Sequence, residues 1–487
     1  MSETFFPKYP PNISNENLES LKNLAIDWSL SHGLIIRPPP NTNNSNNSFV
    51  MHAPVSLFPS PFPRKTYYEA IELQPKFNLL FHKLSQDSEF IKHVVEEITK
   101  VDDFVGNLYK IYLKVKEEGI VQPISLGLHR SDYLLQVPPD ATEANILQVE
   151  FNTISSSFSS LSYLAGELHR YLLKSTGYYN SSELLKSDSL PLNDSMTSLS
   201  KGMAKAHELY GSPNAVVMMV VIDEERNIFD QKWIEYDLLN NHNIHIIRKT
   251  LKEINEQGKL DPNTKALIID DKEVAVTYFR SGYSPEQHPT EKEWDARLLI
   301  ERSKSIKCPS VPYQLVGAKK VQQVLAMPGV LEKYVTDPTD AKQLRASFAG
   351  LYPLDSSPEG EAAVKLAMEN PENYVMKPQR EGGGNNIYTN DIPPTLSKLS
   401  VSERSSYILM DLIQPPLMKN IILRQGELIE GEMVSELGIY GIFIGGEGKN
   451  EVIVNEVGGH LLRTKGRETH EGGVATGYAV IDSPLLI

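Results

Sequence analysis

Apolar residues recur at helical spacing through the first two hundred positions. Leu18, Leu21, Leu24 and Trp28 share one helical face, and Gly33 stands where a helix C-cap belongs. A second periodic stretch over residues 90–118 predicts one long helix ending at Gly119. Between them lies RPPPNTNNSNNS (37–48), whose three prolines and Asn/Ser tract bury little; it reads as a surface loop or disordered insert without an assigned function. From about position 213 the pattern changes. Apolar runs at 215–222, 244–248, 266–270 and 274–280 read as strands, separated by helical patterns at 227–239 and 251–258. Such alternation implies a mostly parallel sheet covered by helices, a unit ending near Val316. The last third reads as antiparallel β with helices. YVMKPQ (374–379) and NIYTN flank a glycine-rich turn; SYILMDLI (406–413) stops at Pro415 and Pro416; VSELGIYGIFI and EVIVNEV enclose GGEGKN. No fixed-period repeat is visible.

Composition narrows the function classes. The 487 residues allow roughly three domains. A formal net charge of −14 argues against a nucleic acid backbone or an anionic membrane as the main partner, although a local cationic cluster can still bind anions. The single cysteine, Cys308, can form neither an intrachain disulfide nor a multi-thiolate zinc site. It reads as a structural residue in a reducing compartment. The N-terminus has no basic region followed by an apolar core, and the longest apolar run, 215–222, is too short for a bilayer. A cytoplasmic protein is the expectation.

The common nucleotide and hydrolase motifs GxxxxGK[ST], GxGxxG, GxSxG and HExxH are missing. In their place stands KPQREGGGNN. Lys377 enters a turn in which Gln379, Arg380 and Glu381 precede Gly382, Gly383 and Gly384, with Asn385 and Asn386 after them. Consecutive glycines let backbone N–H groups close on phosphate oxygens, and Glu381 opposes that role unless it holds a metal ion; a plain surface hairpin is the alternative. In ILQVEFN (146–152), strand alternation predicts that Val149 and Phe151 face the core while Gln148, Glu150 and Asn152 face the other way. Glu150 and Asn152 would then form a hard-oxygen pair suited to magnesium, or merely a solvated strand face. Ser155, Ser156 and Ser157 open an apolar-periodic helix and could present N–H groups to an anion, or simply cap it. Two strands of the middle unit end in polar sets, Glu225, Asn227 and Gln231 after one, Arg280 and Tyr283 after the other. Ligands of open α/β sheets bind at such strand ends, and this mixture fits a zwitterionic, peptide-like ligand. Helix capping by Asn227 and an ion pair of Arg280 with a neighbouring acid are the alternatives. Finally, Arg463 and Lys465 share a strand face before the Gly472–Gly473 turn, as a clamp on developing phosphoryl charge or as a charged edge.

These blocks together resemble eukaryotic glutathione synthetase. The resemblance rests on GLHRSDYLL (127–135), VEFNTISSSF (149–158), EERNIFDQ (224–231), YFRSGY (278–283), KPQREGGGNNIY (377–388), SELGIYG, HLLRTK and EGGVATG, and on 301–323. It implies a fold of α/β and α+β class: a permuted ATP-grasp fold, with residues 1–212 and 317–487 forming the nucleotide-binding body and its antiparallel, glycine-rich lid, and 213–316 an inserted parallel α/β substrate-binding domain. It further implies an ATP-dependent ligase that joins γ-glutamylcysteine to glycine through an acyl phosphate, working as a cytoplasmic homodimer with magnesium, in two ions. By the same resemblance Glu150, Asn152 and Glu381 hold magnesium. Lys319, Lys377, residues 379–386, Tyr388, Met410, Asp411, Leu412, Ile413, Glu436, Lys465 and Glu471 belong to the nucleotide site. Arg130, Ile154, Ser155, Ser156, Ser157, Glu225, Asn227, Gln231, Arg280, Tyr283, Arg463, Val474 and Ala475 contact the two peptide substrates, with Arg130, Lys377 and Arg463 serving catalysis. A different amine acceptor such as β-alanine, a carboxylate kinase, and an inactive nucleotide-binding protein are the rival readings.

Overall fold

The computed structural model describes residues 5–39, 48–138, 141–381, 384–446, 451–469, 473–474 and 477–487. Among them a 13-stranded sheet forms the spine of the molecule, and a separate four-stranded antiparallel sheet stands beside it. The spine is built on a long hairpin, Glu427–Gly445 with Val452–Gly466. Strand Ser125–Gln136, here the arginine strand, runs antiparallel to the first arm of this hairpin and sets Arg130 opposite Tyr440. On its other edge the arginine strand forks. Ser125 pairs with the parallel strand Ile306–Cys308, whereas residues from Arg130 onward pair with the antiparallel strand Asn145–Asn152. The chain leaving Asn152 therefore emerges in the fork, beside Arg130.

Glycines set how closely the layers approach. Helix Arg64–Ser85 lies against the hairpin with Gln74, Asn78 and His82 buried on its inner face. A Cβ at Gly441 would sit 2.3 Å from Asn78 Oδ1, and one at Gly445 would sit 2.4 Å from the His82 ring, so only glycine allows this contact. The same holds at Gly438, where a Cβ would meet Asp132 Oδ1 at 2.6 Å and Arg130 Cδ at 2.8 Å. The Arg130 and Asp132 side chains lie across the hairpin because this glycine leaves the space.

The middle segment has the expected parallel core. Val216–Val220, Ile246–Lys249, Lys272–Phe279 and Ile306–Cys308 pair in parallel, with Leu267–Ile269 folded back antiparallel as a short hairpin. Its strands continue the spine through the Lys307–Ser125 pairing. The four-stranded sheet joins Leu351–Pro353, Tyr407–Asp411, Tyr374–Pro378 and Ile387–Tyr388. The expected hairpin around the glycine-rich turn is present, with Val375 opposite Tyr388.

Two sequence expectations need correction. The stretch 90–118 is not one helix. It breaks into Ser88–Val95, a 3-10 turn Ile98–Lys100 and Asp103–Glu118, because the Asp102 carboxylate accepts from the Val105 N–H at 3.1 Å and starts a new helix. The second concerns strand Asn145–Asn152. Its pairing shifts between Asp132–Glu150 and Tyr133–Gln148, which is a β-bulge that leaves Val149 unopposed. The side-chain phase flips there. Phe151 and Ile146 enter one core, while Leu147 and Val149 pack with Val375 and Met410. Val149 therefore faces the same side as Glu150 and Asn152. Gln148 does not; it is buried and donates to Ser131 Oγ at 2.7 Å.

Candidate functional site

A cavity of about 530 Å³ opens where the fork, the hairpin and the four-stranded sheet converge. Its character changes along its length. At one end Leu134, Val149, Val375, Met410, Leu412 and Ile413 form an apolar slot, walled by the small cluster of Ala349, Val375, Met410 and Ile413. The middle is strongly charged. At the far end the middle segment contributes Glu225, Asn227, Arg280 and Tyr283.

The charged middle is organised by one buried acid, Asp132. Its carboxylate accepts from Arg130 Nε at 2.6 Å and Nη2 at 2.9 Å, and from Arg463 Nη2 at 3.0 Å. Arg463 also pairs with Glu436. Burial opposes the charge on Arg130, yet the adjoining Asp132 holds its pKa above the ordinary value. Arg130 and Asp132 occupy alternate positions of one strand, so both point into the cavity side, and Gly438 gives them room. The sequence pattern Arg-x-Asp on a strand carried this signal, but Asp132 was not singled out by sequence reasoning.

The bulge then places the cations. Having no partner residue opposite, Val149 presents its carbonyl to Lys377, whose Nζ donates to it at 3.1 Å. The next residue, Glu150, accepts from Lys319 Nζ at 3.2 Å, and the same ammonium lies 3.7 Å from Glu381. Burial pushes the Glu150 carboxyl up, but Lys319, Lys377, Arg463 and Arg130 together hold it down at about 2. Burial pushes Glu381 up to about 7, with Lys319 opposing and Glu150 and Asp132 adding to the rise. Asn152 Nδ2 donates to the Arg130 carbonyl at 3.1 Å and to Asp132 Oδ2 at 3.0 Å, which leaves Oδ1 as the amide atom open to the cavity.

The serine segment is braced from several sides. Arg280 Nη1 donates to the Ser155 carbonyl at 3.1 Å, Ser155 Oγ to the Phe279 carbonyl at 3.1 Å, and Tyr440 Oη to the Ser157 carbonyl at 2.6 Å. Ser155 and Phe158 adopt φ of 52° and 72°, a left-handed backbone that these contacts hold in place. The following helix starts at Ser159 rather than in the serine run. Its N-terminus is not open to an anion, which corrects that expectation. The buried Asp230 carboxylate accepts from Phe158 N at 2.8 Å, Ser160 N at 2.9 Å and Leu161 N at 3.3 Å, and lies 3.6 Å from Arg280. Asp230 belongs to helix Ile228–His242, yet caps the Ser159–Ser175 helix; nothing local in the sequence marks such a contact.

Most of the predicted positions meet at this cavity. Arg130, Glu150, Asn152, Ile154, Ser155, Ser157, Glu225, Asn227, Arg280 and Tyr283 line it, as do Lys319, Lys377, Arg380, Glu381, Asn385, Asn386 and Tyr388. The Met410-to-Ile413 stretch, Glu436, Arg463, Lys465 and Val474 complete the set. Three residues are held elsewhere. Ser156 is buried off the lining, Gln379 accepts from the Lys320 N–H at 3.0 Å and donates to the Ser406 carbonyl at 2.9 Å, and Gln231 is buried behind Glu225. Gly384, at φ 77°, also stands off the lining. Arg380 both lines the cavity and pairs with Asp102. Gly382, Gly383, Glu471 and Ala475 lie outside the described residues.

A family model described as eukaryotic glutathione synthase, ATP binding domain, matches residues 15–486. The chain belongs to the eukaryotic glutathione synthetase family. Glutathione synthetase of Dictyostelium discoideum is 44% identical over 483 residues, spanning 97% of this chain and 99% of that protein. The Homo sapiens glutathione synthetase is 43% identical over 475 residues, spanning 97% and 98%, and the chloroplastic one of Solanum lycopersicum is 42% identical over 483 residues, spanning 98% and 86%. Among solved structures, a glutathione synthetase-like effector from Globodera pallida in its apo form superposes with a TM-score of 0.77 at 24% identity over 98% of each chain. The glutathione synthetase family is a family of ATP-dependent ligases, and ATP is the co-substrate. Its members occur in more than one compartment, as the chloroplastic relative shows. Among the described residues no helix is long and apolar enough to cross a membrane.

Proposed function

We propose that this cavity ligates γ-glutamylcysteine to glycine, with the nucleotide in the apolar slot and the peptide against the middle segment. One observation carries the reading: a single cavity is lined by an apolar set around Val149 and Met410, a cluster of Arg130, Arg463, Lys319, Lys377 and Lys465, and a mixed set of Glu225, Asn227, Arg280 and Tyr283. Adenine fits the slot between Val149 and Met410. The phosphates meet the lysines, and the dipeptide meets Glu225 and Asn227 with its α-ammonium and Arg280 and Tyr283 with the α-carboxylate of its γ-glutamyl residue.

Glu150, Glu381 and Asn152 would hold magnesium, in two ions. Among the described residues no three His, Cys, Asp or Glu side chains converge as a metal group, so the amide oxygen of Asn152 and phosphate oxygens would complete the shell. The donor chemistry fits a hard dication. Glu381 is a half-buried carboxylate crowded by Glu150 and Asp132, the arrangement that a positive ion relieves. Bound magnesium supplies charge neutralisation on the transferring phosphoryl group.

The residues of the chain do the rest by position and charge. A carboxylate oxygen of the cysteinyl residue attacks the γ-phosphorus of ATP, and the bond from that phosphorus to the ADP oxygen breaks. Lys377, held by the Val149 carbonyl, and Arg463, held by Asp132, face the developing charge. The amine of glycine then attacks the acyl carbon, phosphate leaves, and the amine loses its proton to water. Val474, which lines the cavity beside Gly473, stands near the acceptor end; with Ala475 we assign it to the glycine side. The glycine-rich loop would exclude water from the acyl phosphate. A homodimer, a cytoplasmic location and the division into 1–212, 213–316 and 317–487 belong to the same proposal.

The test is mass spectrometry of the product from γ-glutamylcysteine, glycine and MgATP, with ADP and phosphate counted. Glutathione, ADP and phosphate in equal amounts are expected, and only when all three substrates are present. Full-rate ADP formation without glycine would overturn the ligase reading in favour of a kinase. Preferential use of β-alanine would overturn the acceptor.

A further inference from the structure

Glu225 is the one carboxylate at the peptide end of the cavity that the middle segment supplies, and it is held in a fixed orientation. Its Oε1 accepts from the Asn227 N–H at 2.7 Å, and its Oε2 accepts from Gln231 Nε2 at 3.2 Å. An amide can serve a carboxylate only through its nitrogen; flipped over, it would turn its oxygen on Glu225 and repel it. Gln231 is 1% exposed, so water cannot compensate for a wrong orientation. The orientation is set from behind. Arg248, at the end of strand Ile246–Lys249, donates from Nη2 to Gln231 Oε1 at 2.6 Å. The guanidinium has no acceptor capacity, so it can donate only to the oxygen end of the amide. It is itself held by the neighbouring strand Val216–Val220 and the helix Ile228–His242, with Nη1 3.3 Å from Met219 Sδ and 3.9 Å from Glu235 Oε2. Arg248 does not line the cavity.

We infer that Arg248 is a positioning residue for recognition of the γ-glutamyl α-ammonium group: it locks the Gln231 amide, and Gln231 in turn holds Glu225 toward the cavity. This rests on the proposed placement of the dipeptide against Glu225. The relay makes Gln231 a polarity filter between a half-buried cation and the site carboxylate, a role distinct from direct substrate contact. It also connects the parallel strand Ile246–Lys249 to the site across helix Ile228–His242, which explains why a strand with no cavity residue ends in a half-buried arginine.

The test compares γ-glutamylcysteine with glutarylcysteine, the same molecule without its α-amino group, in steady-state assays of the full-length enzyme. The wild type should prefer γ-glutamylcysteine. Arg248→Leu should raise the KM for γ-glutamylcysteine about tenfold, while the KM values for glutarylcysteine, ATP and glycine stay within about twofold. Gln231→Leu should do the same, and the double variant should be no worse than either single one. Arg248→Lys, which keeps a donor of the same charge, should recover part of the preference and serves if Arg248→Leu does not fold. A wild type that takes both acylcysteines equally overturns the assignment of Glu225 and the relay with it. A discriminating wild type whose Arg248 variants discriminate as well, or lose ATP and glycine affinity to the same degree, overturns the relay alone.

Discussion

Two glutamates reach for the same lysine, and their carboxyls are shifted in opposite directions. Glu150 lies on the floor of the cavity, on a bulged strand inside the sheet, and is held at about 2 by Lys319, Lys377, Arg463 and Arg130 against the effect of burial. Glu381 lies on the opposing wall, at the edge of the glycine-rich turn, and is pushed up to about 7 by burial and by the negative neighbours Glu150 and Asp132. Residue type and burial are the same; the sign of the surrounding charge decides. The floor gathers cations because the arginine strand, the hairpin and the bulge all point side chains to one side. The wall carries its carboxylate into a field already set by the floor. A carboxylate fixed in its ionised state suits a permanent ligand or charge partner, whereas one that is crowded gains from a bound cation.

Removing the shared organiser should have the largest effect. Asp132→Asn leaves two buried guanidinium groups, Arg130 and Arg463, without their common acceptor charge, and breaking a buried pair in this way costs about 3–5 kcal/mol of stability. Thermal or urea denaturation should show it, together with loss of turnover. A variant as stable as the parent would show that Asp132 does not organise the floor.

Glu150→Gln should come next. It keeps the fold, and should lower kcat by about 10²–10³, in line with removing one preorganised charge from a phosphoryl-transfer site. Near-normal turnover at saturating magnesium would remove Glu150 from the ligand set. Glu381→Gln should be milder, about tenfold, and should appear mainly as a higher magnesium requirement, because its carboxylate acts through the bound ion. If Glu381→Gln proved the more damaging of the two, the contrast between floor and wall would be reversed.

An effect on stability alone lies behind the floor, at His129. Both ring nitrogens are buried without a hydrogen-bond partner among the described residues, and burial pushes the imidazole down to about 3, with His82 contributing. The folded state thus binds a proton less readily than the unfolded one, where histidine titrates near 6.5. Stability is complete above the unfolded pKa and falls as pH drops from about 6.5 toward 3, by about 1.4 kcal/mol per pH unit for one such histidine. His129→Phe should flatten that slope in denaturation curves collected between pH 6.5 and 4.5. An unchanged slope would mean that other groups control acid sensitivity.

The motifs that carry chemistry were legible in the sequence because they are local. KPQREGGGNN, the Glu150–Asn152 pair and the polar strand ends announce themselves by composition and spacing, and most of those side chains line one cavity. Legibility failed where a contact is distant or where one residue shifts the register. Asp230 caps a helix about seventy positions away, and no periodicity reports that. Val149 was assigned to the wrong face because strict alternation assumes a regular strand, and a single unopposed residue flips every side chain beyond it.

What the sequence alone determined is the set of elements and the reactive groups. Apolar periodicity set the parallel strands and the antiparallel hairpins, local motifs named Glu150, Asn152, Lys377, Glu381 and Arg463, and the family resemblance added Arg130 and Lys319. The tertiary structure decided which groups share a field. Arg130, Glu150, Lys319, Lys377 and Arg463 come from widely separated segments, and their protonation states follow from distances of a few ångströms across a buried, low-dielectric space. Electrostatic interaction there depends on separation in space and on exclusion of water. Neither quantity is written in the order of residues; both arise when the bulge, Gly438 and the fork of the sheet bring those segments together.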